Sequence, residues 1–186
     1  MTIAPEVRLD GALVRLRPPS LADVAHFVRW YSDPEVLHWL HMSEGPKATE
    51  ETERARIAAA VEDPSQMLWI IETRKARPIG NAGLLQIDPV HQRAWLGICI
   101  GEKDCWSQGY GTEAIRLLLR FAFRNLGLRR IQLITDADNA RGIRCYEKCG
   151  FYQEALLRGH RLRYGEPLDM VQMAVMKGDL KLEAGG

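Results

Sequence analysis

The stretch from Cys105 to Ala114, "CWSQGYGTEA", places Gly109 and Gly111 at the start of a predicted helix. The segment before it, "RAWLGICIG" from Arg93 to Gly101, is typical of a strand. A helix N-terminus has unpaired N–H groups and the positive end of the helix dipole, and glycines let a ligand approach the backbone. The stretch therefore predicts either a phosphate-binding turn or a glycine turn that only redirects the chain.

The spacing excludes one phosphate motif and leaves a second open. Walker A needs a lysine after its second conserved glycine, whereas Thr112 and Glu113 follow Gly111 here. The dinucleotide-binding pattern G-x-G-x-x-A fits Gly109 to Ala114, and Asp136 ends the next predicted strand. In that fold, however, the glycines follow their strand directly, and further strand–helix–strand units complete the sheet. A dinucleotide site therefore stays open as an alternative, which binding of NAD would reveal.

The remaining sequence predicts a mixed sheet covered by helices. A strand with a turn at Asp10-Gly11 precedes a helix that starts at Ser20, a short helix in "DPEVLHWLHM" and a helix over 48–61. Three strands then form an antiparallel meander, and Gly97 in the third predicts a bulge or a close approach of the backbone. A helix, a strand, a helix over 139–149 and two strands joined at "YGEP" follow. We expect one domain over residues 1–180 and a short polar tail over 181–186.

Composition excludes several classes of protein. The 186 residues are 46% hydrophobic and 26% charged, which is typical of a globular protein, and the net charge of +1 predicts no nucleic-acid or membrane partner. The four cysteines lack C-x-x-C spacing, and no secretory signal or apolar run of about 18 residues is present, so we expect a cytoplasmic protein. Cys145 with Cys149, and His38 with His41, are the pairs weighed as metal ligands, and no metal is expected at either.

A second motif, "ADNARGIRCYEKCGF" from Ala137 to Phe151, identifies a family. Together with "WSQGYGTEA" it resembles the GNAT superfamily of acetyl-CoA-dependent N-acetyltransferases, most strongly from Trp95 to Met173. "GYGTEA", "YEKCGF" and "LDMVQM" are most similar to the branch that contains ribosomal-protein N-terminal acetyltransferases and spermidine acetyltransferases. The resemblance implies a single-domain α/β fold: a mixed, mostly antiparallel sheet of about seven strands, helices on both faces, and a parallel strand pair that splays apart.

The resemblance also implies a cofactor site. Acetyl-CoA would be the cosubstrate, with its pyrophosphate on the backbone N–H groups of the glycine turn and its pantetheine arm along the splayed strand. Asn139 would cap its own helix and also contact the pantetheine arm or the acceptor. The family usually has Arg or Gln three residues before the first glycine, where this chain has Trp106. The implied cofactor-binding residues are Ile98, Cys99, Ile100, Gln108, Gly109, Tyr110, Gly111, Thr112 and Asn139.

Acyl transfer from a thioester to an amine needs a neutral amine, a stabilised oxyanion and a proton for the leaving thiolate. The resemblance makes Tyr146 the general acid, because a phenol with a pKa of about 10 keeps its proton at neutral pH; the alternative is a tyrosine packed on the core. A backbone N–H nearest Cys99 or Ile100 would stabilise the oxyanion. No base is identified, because Ile134 stands where some relatives have glutamate. The candidates for a water-linked base are Glu72, His91 and Asp136.

The acceptor is the least determined part of the reaction. The segment from Asp33 to Glu53 contains six acidic residues and one basic residue, Lys47. In the family that the chain resembles, the first helices roof the acceptor cleft, so the resemblance implies an acidic roof that favours a cationic amine. The alternative is a solvent-exposed helix face with Glu50 and Arg54 paired. We expect direct transfer in a ternary complex to the N-terminal amine of a protein or peptide. A polyamine or aminoglycoside acceptor and a non-catalytic acyl-CoA-binding module remain alternatives, and we expect a monomer or homodimer.

Overall fold

The computed structural model describes residues 7–40 and 47–180. The strands are β1 (Leu9–Asp10), β2 (Val14–Arg17), β3 (Met67–Thr73), β4 (Pro78–Asp88), β5 (Arg93–Ile100), β6 (Arg130–Asp136), β7 (Tyr152–Arg163) and β8 (Glu166–Met176). The α-helices are α1 (Val24–Trp30), α2 (Pro34–His38), α3 (Glu50–Glu62), α4 (Tyr110–Arg124) and α5 (Ala140–Lys148). His41 and the polar tail predicted at 181–186 lie outside the described residues.

The strands of the described chain form one eight-stranded sheet in the order β1-β2-β3-β4-β5-β6-β8-β7. Adjacent strands are antiparallel except β5 and β6, which are parallel and are joined by α4. The predicted mixed, mostly antiparallel sheet is therefore confirmed. It has one strand more than expected, because the turn at Asp10-Gly11 folds the two residues of β1 back onto β2.

Helices cover both faces of the sheet, as predicted. Trp69 and Ile71 of β3 face the larger core, which includes the buried face of α4, while Ile70 between them faces α1 and α3. This alternation follows from the two-residue period of a strand. In α4, Ile115, Leu118, Leu119 and Phe123 are fully buried at the i, i+3, i+4 spacing of an amphipathic helix. The sheet is thus the middle layer, with α1 to α3 on one side and α4 on the other.

The parallel pair β5–β6 separates after a short stretch of pairing. Arg93 to Trp95 pair with Arg130 to Gln132, and no further register pair joins the two strands. β5 nevertheless continues to Ile100 and β6 to Asp136. The predicted splay is confirmed, and it leaves the second half of β5 without a strand neighbour on its β6 side.

The predicted bulge at Gly97 is wrong. Gly97 pairs with Gly83 within a continuous register from Ile100 to Trp95. The irregularity lies instead on β4, between Leu85 and Asp88, where the intervening Gln86 has a φ of 49°. A glycine in a strand permits close approach or a bulge without requiring either, and a Cβ at Gly97 would meet only Leu85 Cδ1, at 3.6 Å.

Candidate active site

A cavity of about 420 Å³ lies where the end of β5, the first turn of α4 and α5 meet, with α2 on its other side. The cofactor-binding residues and the general acid implied by the resemblance all line it. These are Ile98, Cys99, Ile100, Gln108, Gly109, Tyr110, Gly111, Thr112, Asn139 and Tyr146. The fold therefore brings the two sequence motifs to one place.

The glycine turn presents free backbone donors to this cavity. Gly109 is the N-cap of α4, in the left-handed region with a φ of 88°, and no side chain caps the helix. The first three amides of the helix, from Tyr110 to Thr112, lack an intrahelical acceptor by geometry. The indole N–H of Trp106 donates to the carbonyl of Ile100 at 2.7 Å and so ties the loop to β5. The turn has the N–H groups and the dipole that suit a phosphate.

The strand register decides which amides of β5 are free. The N–H of Gly101 donates to the Ile79 carbonyl at 2.9 Å, and the same register makes Cys99 opposite Asn81 a hydrogen-bonded pair as well. The alternate residues, Ile98 and Ile100, turn their backbone groups away from β4, into the gap left by β6. Of the two residues expected for the oxyanion contact, Ile100 offers a free N–H and Cys99 does not.

Arg141 is a lining residue that the sequence analysis missed. It lies in the first turn of α5, and its guanidinium carbon is 3.8 Å from the centre of the Trp106 ring and 5.9 Å from that of Trp39. Burial lowers the pKa of Arg141 from its ordinary value, yet a guanidinium stays charged at neutral pH. The fold thus supplies a cation beside Trp106, where the sequence lacks the family's Arg or Gln. No sequence spacing signals this contact, because it joins two different elements.

Tyr146 projects from α5 into the cavity and is half-buried. Its ring packs edge-on against Phe151, with 6.0 Å between the ring centres. Its hydroxyl has no hydrogen-bond partner within residues 7–40 and 47–180. Burial raises the pKa of the Tyr146 phenol above its ordinary value, so the group keeps its proton at neutral pH. Tyr146 therefore has both the packing of a core tyrosine and a free proton donor.

Asn139 caps α5 as predicted. Its side-chain oxygen accepts from the N–H of Gly142 at 3.0 Å, and its side-chain nitrogen donates to Thr135 Oγ1 at 3.1 Å. The amide nitrogen carries two hydrogens, so one remains for a molecule in the cavity. The capping role and a ligand contact are compatible.

Two of the cavity-lining cysteines differ in character. Burial raises the pKa of Cys99 to about 12, which suits a small core residue better than a nucleophile. Cys145 lies with its sulfur 3.3 Å from Thr112 Oγ1. A hydrogen bond from the Cys149 thiol lowers the pKa of Cys145 to about 6, with further help from Thr112, Lys148 and Arg116.

None of the three candidates for a water-linked base lines the cavity. Asp136 is buried and holds Arg161 through two hydrogen bonds of 2.8 and 2.7 Å. Glu72 is paired with Arg17 at 2.5 Å, and His91 is exposed in the turn between β4 and β5. The two carboxylates are each paired with an arginine, and among the described residues no carboxylate lines the cavity.

The acidic residues of α3 do not line this cavity, and Glu44 of the predicted acidic roof lies outside the described residues. Glu50 and Glu51 are exposed, while Glu53 is buried and paired with Arg56 at 2.7 Å. The ion pair on α3 is thus i,i+3 rather than the predicted Glu50–Arg54 pair. None of these residues lines the cavity, where the charged residues of the described chain are Arg141, Arg144 and Lys148. The described part of the lining is therefore basic.

The family match agrees with this geometry. A family model described as an acetyltransferase (GNAT) domain matches residues 14–152. The chain belongs to the GNAT acetyltransferase family. It is therefore an acetyl-CoA-dependent N-acetyltransferase, and the predicted enzyme class is confirmed. The dinucleotide alternative is wrong, because β5 and β6 are the one parallel pair in the described sheet.

Relatives of known name are themselves N-acetyltransferases. N-acetyltransferase p20 of Bacillus licheniformis, whose activity is uncharacterised, is 25% identical over 164 residues, which are 87% of this chain and 92% of that protein. Spermidine N(1)-acetyltransferase of Escherichia coli K12 is 27% identical over 117 residues, covering 63% of this chain and 62% of that protein. These matches support the branch that the motifs indicated.

Solved structures share the fold. An acetyltransferase candidate from T. thermophilus superimposes with a TM-score of 0.78 at 35% identity, over 96% of this chain and 93% of that one. Spermidine N-acetyltransferase from Vibrio cholerae, solved in complex with CoA and spermine, superimposes with a TM-score of 0.83 at 20% identity, over 91% and 98%. At this level of sequence identity, the similarity to the Vibrio cholerae enzyme shows a shared fold only.

The described residues contain neither a metal-binding cluster nor a membrane-spanning helix. Across residues 7–40 and 47–180, no group of three or more His, Cys, Asp or Glu side chains could hold a metal ion. His38, one of the residues weighed as a metal ligand, lies with its Nε2 2.8 Å from Arg163 Nη1. No helix in this part of the chain is both long and apolar enough to cross a membrane.

Proposed function

We propose that this acetyltransferase transfers the acetyl group of acetyl-CoA, in a ternary complex, directly to the N-terminal amine of a protein or peptide. One observation carries the proposal. A single cavity contains the free amides of the glycine turn, the free amide of Ile100, the proton donor Tyr146, and only basic residues among its charged lining in the described chain.

The cofactor end of the cavity fits a pyrophosphate. The amides from Gln108 to Thr112 supply hydrogen-bond donors at a helix N-terminus, and Arg141 adds a positive charge beside them. A Cβ on Gly111 would lie 3.7 Å from Ile100 Cγ1 and 3.8 Å from Cys145 Sγ, which are ordinary contact distances. Gly111→Ala should therefore fold normally, whereas the branched side chain of Gly111→Val should enter the turn and close it.

We expect Gly111→Val to weaken acetyl-CoA binding about tenfold or more, which corresponds to losing about 1.4 kcal/mol of backbone contact. Gly111→Ala is the matched control and should lose less. Calorimetric titration with acetyl-CoA measures both affinities, and circular dichroism checks the fold. Wild-type affinity in a folded Gly111→Val protein would remove the glycine turn from the cofactor site.

The reaction requires the acceptor nitrogen to attack the thioester carbonyl while in its neutral form. A C–N bond forms and the C–S bond breaks, and in this proposal the backbone N–H of Ile100 donates to the carbonyl oxygen as negative charge develops there. Tyr146 gives its phenolic proton to the departing thiolate, and the new amide nitrogen loses a proton to water. Acetyl-CoA supplies the activated acyl group, and the chain supplies alignment, oxyanion stabilisation and the proton.

Tyr146→Phe tests the proton transfer, because it keeps the ring on Phe151 and removes only the hydroxyl. We expect kcat to fall about 100-fold, the lower end of general acid catalysis, with acetyl-CoA affinity unchanged. The hydroxyl has no partner in the described chain, so the thermal midpoint should change little. A fully active Tyr146→Phe enzyme would exclude this residue from the reaction.

The choice of acceptor depends on charge and on the cost of deprotonation. At pH 7 an α-amine with a pKa of about 7.8 is neutral at a cost of about 1 kcal/mol, whereas an amine with a pKa of about 10.4 costs about 4.6 kcal/mol. The lining offers no carboxylate base in its described part, and its basic residues repel a polycation. Both effects favour an α-amine.

A polyamine acceptor is the second candidate, because some of the relatives are named spermidine acetyltransferases. Release of the CoA thiol should be measured against a neutral peptide, spermidine and an aminoglycoside. The proposal requires the highest kcat/KM for the peptide. A higher value for spermidine or for the aminoglycoside would overturn the acceptor assignment and leave the transfer reaction standing. Stoichiometric binding of acetyl-CoA without turnover of any of the three amines would contradict the proposed transfer.

A further inference from the structure

The four cysteines of the chain occupy different environments. Cys99, Cys105 and Cys149 are buried, whereas Cys145 is half-buried and lines the cavity. Burial raises the pKa of Cys99 and of Cys105. Cys99 and Cys105 also line the cavity, but Cys145 is the most exposed of the three, and its role is not accounted for by the acetyl transfer.

The groups around Cys145 favour its thiolate. Its sulfur lies beside the first turn of α4, 3.3 Å from Thr112 Oγ1, where the helix dipole is positive. Lys148 and Arg116 add positive charge, and Arg116 Nη2 donates to the Lys148 carbonyl at 2.9 Å, which holds α4 and α5 together at this point. Burial raises the pKa of the neighbouring Tyr146 phenol, which therefore stays neutral at neutral pH.

Cys149 completes this arrangement from one helical turn further along. Its thiol is buried and donates its one hydrogen to the Thr112 carbonyl, 3.5 Å from the sulfur; the same hydrogen can turn to Cys145 once Cys145 is a thiolate. The hydrogen bond to Cys145 raises the pKa of Cys149, so it remains a protonated donor while Cys145 ionises. The pair therefore consists of one reachable thiolate and one buried thiol that stabilises it.

We propose that Cys145 is a modification site for low-molecular-weight disulfides, and that the mixed disulfide closes the glycine turn to acetyl-CoA. The thiolate attacks one sulfur of the reagent R–S–S–R, so that a Cys145–S–S–R bond forms, the original S–S bond breaks and RS⁻ leaves. The reagent is the oxidant, and a reducing thiol reverses the step.

The effect on turnover follows from position and rests on the proposed cofactor site. A Cβ on Gly111 would lie only 3.8 Å from Cys145 Sγ, so a peptide-sized adduct on that sulfur must occupy the space beside the glycine turn. Acetyl-CoA bound first should shield Cys145 for the same reason. The chemical reactivity of Cys145 stands independently of this consequence.

The reactivity is tested with glutathione disulfide as the probe and no cofactor present. Trypsin cleaves after Arg144 and Lys148, so Cys145 and Cys149 fall in separate peptides and mass spectrometry distinguishes them. With a pKa of about 6, Cys145 would be about half thiolate at pH 6 against about 0.3% of an ordinary cysteine, and its lower basicity would cost about 13-fold in nucleophilicity. We therefore expect Cys145 to react about tenfold faster at pH 6 than the same peptide in the urea-unfolded protein.

The role of Cys149 is tested with a matched pair of variants. Cys149→Ser keeps a hydroxyl donor and should keep the reactivity of Cys145 at low pH. Cys149→Ala removes the donor, so Cys145 should require a higher pH to react at the same rate. The modification site would be overturned if the reaction rate of Cys145 depended on pH in the same way in the folded wild-type protein and in the unfolded protein. Equal profiles for the serine and alanine variants would overturn the role given to Cys149.

The consequence is tested by titrating acetyl-CoA into the reduced protein, the glutathionylated protein, and the protein after dithiothreitol. We expect the affinity for acetyl-CoA to be lost on modification and restored on reduction. The affinity of the Cys145→Ser variant should not change under either treatment. Unchanged affinity in the modified wild-type protein would overturn the switch. Failure of the reduced protein to bind acetyl-CoA would instead contradict the proposed function, so the two failures are distinguishable.

Discussion

Replacing Glu113 by alanine should release the β1–β2 turn from α4. Glu113 lies in the first turn of α4, and its carboxylate accepts from the backbone N–H groups of Ala12, Leu13 and Val14 at 2.9, 2.7 and 2.7 Å. The turn packs closely on this carboxylate, because a Cβ on Gly11 would lie 2.6 Å from Glu113 Oε2. One side chain thus joins the sheet edge to the helix that begins at the glycine turn.

The cost follows from the burial of the three donors. The amides of Ala12 and Leu13 are exposed and can bond to water after the substitution, so each loses about 0.5–1 kcal/mol. The amide of Val14 is less accessible, and the loss of its charged partner costs about 1–3 kcal/mol. The sum is about 3 kcal/mol, which for a chain of this length lowers the thermal midpoint by about 6–12 °C.

Urea unfolding followed by circular dichroism measures the free energy, and Glu147→Ala is the control because Glu147 is an exposed glutamate on α5. The control should change the unfolding free energy by less than about 0.5 kcal/mol. If Glu113→Ala is no more destabilising than the control, water replaces the carboxylate without loss, and the anchoring role given to Glu113 is refuted.

Two further predictions concern a close contact and acid stability. A Cβ on Gly101 would lie 2.1 Å from Trp30 Cγ, so Gly101→Ala should lower the unfolding free energy by about 3 kcal/mol. Gly127 is the control, because it has a φ of 67° and no atom within 4 Å of an added Cβ, so Gly127→Ala should lower the unfolding free energy by about 1 kcal/mol. Equal losses for the two variants in urea unfolding would contradict the clash at Gly101. Burial by itself raises the pKa of Asp23, but hydrogen bonds from Arg17 at 2.7 and 2.8 Å outweigh it and hold this pKa below 3.8. The charged form of Asp23 therefore stabilises the fold above about pH 4, and this stabilisation is lost as the pH falls through the pKa of the folded state. The difference in unfolding free energy between wild type and Asp23→Asn should accordingly shrink from pH 7 to pH 3. A difference that stays constant with pH would rule out this role of Asp23.

The sequence predicted the elements near the site well because each has a local signal. The branched residues of β3, the apolar period of α4 and the Asn139 cap of α5 depend on neighbours within a few positions. The two motifs also indicated the family, and with it the splayed strand pair and the residues that now line one cavity. These predictions needed no knowledge of which distant segments touch.

Other features depended on contacts between segments far apart in the chain. The acidic residues of α3 indicated a roof over the acceptor, but Glu53 turns inward onto Arg56, and Glu50 and Glu51 face solvent. The bulge lies on β4 because pairing across two strands sets its position, and Gly97 by itself does not. A count of charges along a segment cannot show which of them are already paired.

The sequence by itself determined the order of strands and helices and the glycine turn at the start of α4, and its resemblance to the family led to Tyr146 as the proposed proton donor. The tertiary structure alone decided that Arg141 lies over Trp106, that Glu113 anchors the β1–β2 turn and that Ile100 rather than Cys99 has the free amide. The physical reason is the distance along the sequence over which each interaction acts. Propensity, periodicity and capping act over one or two turns, whereas ion pairs, stacking and strand register are set by elements that meet only in the folded chain.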